Sequence, residues 1–557
     1  MKFGDVINMY KGQIVVDIML SLFISLSLLF IGYKFFQSLQ SRGYKTKIYV
    51  KSVASITKIN YLNLVFFASL SALAFIILNL SAIPLSHIIK GGSFANKNGY
   101  ISLIGFIPYL FFFILFVVTN RREEKKTPLV YSARMKRLLV VTFVISFILT
   151  FGIILLSDAV AYKIDSAICF YLRYLFLTLL AIILPYIIAL CSVIISPIEK
   201  SISKKYVKLA KNKIENSTCK VIGITGSAGK TTTKNFLYEL LSQKYRVYKT
   251  PKSYNTPMGV CLAIKDINLD DYDFFLVEMG AKQSGDIKEL CDLTFPTYSI
   301  ITSVLPQHLE TFKSFENIIK TKSEIIGGTK EFTLAINEND ELIKYGEGKL
   351  VLVSLKDEKG YLNLKDIELT EKGSNLTFEF EEKEYKAQTK LLGNANAKNV
   401  LLSSAMALKL GLTVDEVISG IEKLESVDHR MKIVDSNNGT IVIDDAYNSN
   451  LQGFKGAIDT ISLFKGRKIL VTPGVIELGK TQLDENKKLG EYASGKVDIA
   501  LFIGTNKTAL KQGFILGGMA EENILDSDTL KEGMEKLKRI IKEGDVILFE
   551  NDLPDTF

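Results

Sequence analysis

Three histidines and five cysteines are all the imidazoles and thiols in 557 residues. No C-x-x-C pair occurs. Cys169 and Cys191 sit in apolar runs, and Cys219, Cys261 and Cys291 are scattered. This pattern excludes a zinc ribbon and a disulfide framework, and a reduced compartment is the plain reading. No A-x-A-like site follows the first apolar run, so a cleaved leader is not expected. Internal repeats and low-complexity tracts are missing as well. His87 closes an apolar run, whereas His308 and His429 fall in charged segments beside strand-like runs, which singles them out.

Acidic residues are scarce in the first part of the chain. Residues 1–217 hold 25 Lys and Arg against 8 Asp and Glu, an excess of 17, so the remainder of a +9 chain is −8. The basic part is also the apolar part, and mean hydropathy over the chain is +0.22. Basic residues beside apolar runs point to a membrane surface. The acidic part offers no basic patch that would suit a nucleic acid.

Five apolar stretches, 14–36, 61–85, 100–119, 138–157 and 168–195, each approach the roughly 20 residues that cross a bilayer as a helix. Asp17, Lys34 and Arg173 are the internal charges, each near a segment end. Lys34, Arg42, Lys45, Lys47, Lys51 and Lys58 lie at and beyond the end of the first stretch, and Arg121, Arg122, Lys125, Lys126, Arg134, Lys136 and Arg137 follow the third. The positive-inside rule then puts the N-terminus outside and everything after Ser196 in the cytoplasm. From 198 to 217, Ile198, Ile202, Tyr206 and Leu209 recur at helical spacing among lysines. This suits either a helix lying on anionic lipid or a solvated linker.

At 221–233 the sequence reads VIGITGSAGKTTT, followed by the helical NFLYELL. A short strand, a glycine turn, Lys-Thr and a helix form a phosphate cradle: Gly226 and Gly229 let backbone N–H groups turn inward. Lys230 reaches the phosphates, and the Thr231 hydroxyl can hold Mg²⁺. Ile224 stands where the usual spacing has its first glycine. Glu278 ends the apolar run FFLVE. A carboxylate at the C-terminal end of a strand sits where α/β sheets bind ligands, and it is a reasonable Mg²⁺ ligand.

These segments, with YNTPMGV at 254–260, EMGA at 278–281, HLE at 308–310 and KSEI at 322–325, resemble the central domain of the Mur ligase family. GNANAKN at 393–399, DDAYNSN at 444–450 and ELG at 477–479 continue the likeness in order, most closely to the D-alanyl-D-alanine-adding type. The resemblance covers the chain from about Val221 onward. It implies that Gly226, Ser227, Ala228, Gly229, Lys230, Thr231 and Thr232 bind ATP phosphates. Thr231 and Glu278 would hold one Mg²⁺, and His308 and a carbamylated Lys322 would hold a second. Lys230, His308 and Lys322 would be catalytic. Asn396 and Asn399 would face adenine, Arg430 the phosphates and Asp445 the ribose. Asn255, Thr256, Tyr447, Asn448 and Asn450 would face the substrates. The chain departs from the pattern in three places. Membrane helices replace the domain that grips the UDP end of the substrate. Ala395 replaces a histidine, and FENDLPDTF at 549–557 replaces a Lys-Gly-Ser ending.

The expected architecture is an α-helical membrane region followed by α/β domains. Residues 1–197 would form five spans and 198–217 a basic linker. Residues 218–427 would form a P-loop domain with a small antiparallel sheet over 348–392, and 428–557 a Rossmann-like domain. The expected function is ATP-dependent amide ligation in cell-wall precursor synthesis, on a peptidoglycan-precursor-like carboxylate and an amine acceptor. Membrane lipid and other membrane-bound wall enzymes would be its partners. A ligase for another polymer, such as pseudomurein or poly-glutamate, is the nearest alternative. A nucleotide-gated transporter or sensor is the alternative of another class, but it has no use for Lys322.

Overall fold

The computed structural model describes residues 3–56, 114, 129–164, 168–306, 309–336, 340–346, 348–355, 360–435, 439–447, 449–476 and 478–551. The chain divides into two compact units, with the boundary between Ile202 and Ser203.

The first unit is helical. Helices span Phe3–Ile31, Tyr33–Ser41, Thr46–Ile56 and Ala133–Ile164, and a fifth starts at Ile168. Ala133–Ser157 and Leu179–Glu215 are long and apolar enough to cross a membrane, and Asp17–Ile31 with Tyr33–Ser41 makes a third candidate bent by 47°. The stretch 14–36, expected as one span, therefore breaks at Gly32. A β-carbon there would lie 3.0 Å from Phe36 and 3.3 Å from Ile188 Cδ1, so glycine lets two helices approach closely. The expected span at 61–85, that at 100–119 apart from residue 114, and His87 lie outside the described residues. Ile24, Leu28, Phe36, Leu138, Leu184 and Ile188 build the core of this unit. Ser25 and Thr150 share a hydrogen bond across it at 3.1 Å. Arg137 and the buried Glu199 pair in a two-point fork at 2.6 and 2.9 Å.

The expected separate linker does not form. One helix runs from Ile168 to Glu215 with Pro185 and Pro197 inside it. Its last turns bury Ala210 and Ile214 against Val260 and Ile264, and Lys213 Nζ donates to the Ile264 carbonyl at 2.8 Å. One face of the basic segment is thus docked on protein, while Tyr206 and Leu209 stay exposed.

The second unit holds two sheets. In the first, strands run in the order β2-β3-β1-β4-β5-β6-β7-β8-β9. They are β1 (Lys220–Thr225), β2 (Val247–Lys249), β3 (Phe274–Glu278), β4 (Tyr298–Ile301), β5 (Phe332–Ile336), β6 (Leu350–Ser354), β7 (Leu362–Thr370), β8 (Gly373–Phe380) and β9 (Lys383–Thr389). The first six are parallel, and β7–β9 form an antiparallel meander. The antiparallel sheet expected over 348–392 is not independent. Its first strand, β6, lies parallel to β5, and β7 extends the same sheet. Helices cover both faces, which is why β1, β3 and β4 read as continuous apolar runs. Ile222 and Ile224 face the helix Lys230–Leu241, and Val221 faces the other layer.

The second sheet has the order β10-β11-β15-β12-β13-β14. Its strands are β10 (Lys432–Asp435), β11 (Ile441–Asp445), β12 (Lys468–Thr472), β13 (Ile499–Ile503), β14 (Ile524–Ser527) and β15 (Val546–Glu550). Only β10 is antiparallel to its neighbour. Apolar clusters line both faces, as in a doubly wound Rossmann-like domain.

Candidate active site

The loop after β1 is shaped by glycine. Gly226 has φ +148° and Gly229 +83°, and a β-carbon at either would run into Thr302 Oγ1 or Asn399 Oδ1 respectively. The neighbours hold the loop closed from below. Ser227 Oγ donates to the Leu305 carbonyl at 2.9 Å and Thr302 Oγ1 to the Ala228 carbonyl at 2.5 Å. The helix Lys230–Leu241 follows directly from Gly229, and its first-turn N–H groups, which have no partner within the helix, open toward the loop. Lys230 folds back on the loop and donates to the carbonyls of Gly226 at 2.7 Å and Ser227 at 3.1 Å. Burial brings its ammonium down to about 8; Glu278 opposes that shift and Arg430 adds to it.

Glu278, at the end of β3, is the hub of the site and is 1% exposed. Oε2 accepts from Thr231 Oγ1 at 2.9 Å and from Lys234 Nζ at 3.0 Å, and Oε1 accepts from Asn255 Nδ2 at 3.2 Å. Thr231, Glu278 and Asn255, far apart in sequence, thus meet at one carboxylate. Thr256 does not join them. It caps the helix Pro257–Ala263 by accepting from the Gly259 amide.

Lys322 lies on the helix Phe315–Gly328 and is buried. Desolvation, with Lys230 adding, pulls its amine down to about 7 against the pull of Asp286 and Glu324. At neutral pH a large fraction of that amine is uncharged, which is the form that can add CO₂. His308 lies outside the described residues, as does Asn448.

The turn before β10 contributes Arg430, between two left-handed residues, His429 (φ +59°) and Met431 (φ +48°). Its guanidinium carbon stands 4.3 Å over the Tyr447 ring, and Tyr447 Oη donates to Ser253 Oγ at 3.4 Å. Burial lowers the Arg430 pKa, while Asp445, Tyr447 and Glu278 all stabilise its charge. Asp445 ends β11 and accepts from the Met431 amide at 3.1 Å. Burial raises it to about 7, with Arg430 opposing. His429 Nδ1 pairs with Asp444 Oδ2 at 2.8 Å on the surface. Asn450 is a helix cap, accepting from the amides of Gln452 and Gly453.

Asn396 and Asn399 are both buried on the helix Asn394–Lys409. Asn396 Nδ2 donates to the Leu392 carbonyl, and Asn399 Oδ1 accepts from Thr233 Oγ1 at 3.2 Å. In this state Asn399 braces the back of the phosphate loop.

Two buried groups escape a sequence reading. Lys234 bonds Glu278, and its only sequence signal is its place one turn after Lys230. Glu550 ends β15 fully buried, accepts from Thr472 Oγ1 at 2.8 Å, and is pushed up to about 8 by desolvation. Nothing in the sequence separates it from an ordinary strand-end charge.

Residues 224–407 match the family model for the Mur ligase middle domain, and residues 429–550 match that for the Mur ligase glutamate ligase domain. The UDP-N-acetylmuramoyl-tripeptide–D-alanyl-D-alanine ligase of Bacillus subtilis is 27% identical over 347 residues, which are 62% of this chain and 75% of that protein. The solved MurF ligase from Thermotoga maritima in complex with ADP is 30% identical, with a TM-score of 0.55 over 63% of this chain and 80% of that one. MurF from Acinetobacter baumannii, 22% identical, shares the fold at a TM-score of 0.58 over 64% of this chain and 78% of that one. With both domain matches in order and a phosphate loop, a strand-end glutamate and a C-terminal arginine drawn together in one compact unit, the chain belongs to the Mur ligase family and is an ATP-dependent ligase.

Proposed function

We propose that this ligase joins D-alanyl-D-alanine to a muramoyl-peptide carboxylate, the reaction for which its curated relatives are named. The observation that carries this reading is the convergence of Lys230, Thr231, Glu278 and Arg430 around one phosphate loop. In this reading Lys230 and the loop amides hold the ATP phosphates, and the family resemblance assigns Asp445 to the ribose. A substrate carboxylate oxygen attacks the γ-phosphorus, the bond to the β-phosphate oxygen breaks, and ADP leaves. The amine nitrogen then attacks the acyl phosphate carbon, phosphate departs, and a proton is released. Lys230 and Arg430 offset charge on the phosphoryl group as it moves.

Thr231 and Glu278 set two hard oxygen donors side by side. Among the described residues no three His, Cys, Asp or Glu form a closed metal cage. An open oxygen pair suits Mg²⁺, which keeps water and phosphate oxygens as its other ligands. A bound Mg²⁺ would supply charge neutralisation at the phosphates. Lys322 as a carbamate, together with His308, would hold a second ion; the lowered amine pKa supports this role.

The apolar helices within residues 1–202 are read as membrane spans that anchor the ligase at the cytoplasmic face, among membrane lipid and other wall enzymes. The test is mass spectrometry of products made by the full chain from ATP, UDP-linked or lipid-linked tripeptide precursors, and a panel of amines including D-alanyl-D-alanine. A D-alanyl-D-alanine adduct with matching ADP release is expected. Release of ADP without that adduct would reject the assignment of the acceptor.

A further inference from the structure

Lys234 is 1% exposed, yet it carries a charge into the core of the P-loop domain. It lies one turn beyond Lys230 on the same helix face. Its ammonium has two described acceptors, Glu278 Oε2 at 3.0 Å and the Lys252 carbonyl at 2.5 Å. Burying an ammonium is unfavourable unless it is paired, and an apolar residue of similar volume would fill the space with less penalty. The lysine therefore calls for a reason beyond packing.

The geometry supplies one. Glu278 is held from three sides, by Thr231 and Lys234 on Oε2 and by Asn255 on Oε1. Of these donors only Lys234 is a cationic side chain, so it is the group that pairs with the buried carboxylate and holds it in place. The same ammonium bonds Lys252, a left-handed residue at φ +46°, and so ties the 250–256 segment to the carboxylate. The Thr250 hydroxyl accepts from the Glu278 amide at 3.2 Å, and Ser253 receives the Tyr447 hydroxyl. Lys230, by contrast, lies on loop carbonyls that a nucleotide can replace.

We infer that Lys234 is a positioning residue, which presents Glu278 as an oriented anion to the metal–nucleotide complex without touching the nucleotide. The inference rests on reading Glu278 as a metal ligand. Partners that orient a ligand in this way typically change metal affinity about 10- to 100-fold when removed.

The test uses the full chain in detergent and titration calorimetry of ADP, first in EDTA and then with Mg²⁺. In the unaltered chain Mg²⁺ is expected to tighten ADP binding. In Lys234→Met, affinity in EDTA should stay within about twofold, while the gain from Mg²⁺ should fall at least about tenfold. Lys234→Arg, which keeps the charge, should recover part of that gain. Lys234→Gln serves as a second neutral variant if the methionine variant does not fold. A full Mg²⁺ gain in either neutral variant overturns the inference, as does an equal loss with and without metal. Failure of both neutral variants to fold, seen by thermal melting, makes the lysine structural and overturns it too. No Mg²⁺ gain in the unaltered chain would instead overturn the reading of Glu278 as a metal ligand, and this inference with it.

Discussion

Arg430 rests its guanidinium carbon 4.3 Å over the ring of Tyr447. The tyrosine hydroxyl reaches Ser253 in the central domain, so this pair brings a cation from the turn before β10 to the phosphate loop. Stacking uses the planar guanidinium, which a lysine does not reproduce. Arg430→Ala should lower kcat/KM for ATP on the order of 10²-fold, and Arg430→Lys should recover little. Tyr447→Phe, which keeps the ring, should retain more activity than Tyr447→Ala. A coupled assay for ADP release decides it; wild-type rates in Arg430→Lys would remove the stacking argument.

Lys230 bonds only loop carbonyls among its described hydrogen bonds. Its loss should leave the fold in place and the phosphates unclamped. Lys230→Ala is expected to lower ATP turnover by on the order of 10²- to 10³-fold, with a melting temperature near that of the unaltered chain. Normal turnover would reject the phosphate-loop role.

Lys322 is buried with an amine near 7. With ¹³C-bicarbonate, the active chain should show a carbamate carbon resonance that Lys322→Ala lacks. That variant should be inactive, and short carboxylates should restore part of its turnover. An active enzyme whose Lys322 stays an unmodified cation would contradict the assignment.

Glu550 gives the fold a pH dependence. Its folded pKa is raised to about 8 from an ordinary 4.5. Between those values the unfolded chain gives up the proton and the folded chain keeps it. Stability from this group is therefore complete below about 4.5 and is lost as pH rises toward 8. Glu550→Gln keeps an acceptor for Thr472 and removes the titration. Its thermal stability should fall less than that of the unaltered chain between pH 5 and 8; parallel curves would show that Glu550 is not the titrating group.

The charge pattern predicts topology. Single cysteines introduced within 42–58 or 121–137 of a chain depleted of its own cysteines should resist impermeant reagents in intact cells. Labelling at either segment would reverse the orientation.

Much of the ligase was legible in sequence because its signals are local. A strand, two glycines and Lys-Thr before a helix dictate a phosphate loop within 13 residues, and apolar runs of set length dictate candidate spans. Glu278 stood out because strand ends in parallel sheets face ligand crevices.

What local pattern does not carry is which distant groups meet. Residues 198–217 read as a separate basic linker, yet one helix runs on to Glu215, and its Ala210 and Ile214 dock on the α/β core. Thr256 and Asn450 sit in segments that suggested substrate contacts, but each spends its side chain on a helix N-terminus. The strands after Gly348 alternate as an independent sheet would, and the pairing of β6 with β5 merges them into the larger one. Lys234 and Glu278 lie 44 positions apart and meet because β3 is in register with β1, which leads into the helix that carries the lysine. The loop, its lysine and threonine, and the order of the elements follow from neighbouring residues and are readable along the chain. Tertiary structure decided which charges are buried together, because burial and pairing depend on strand register and helix packing between segments that no local pattern connects.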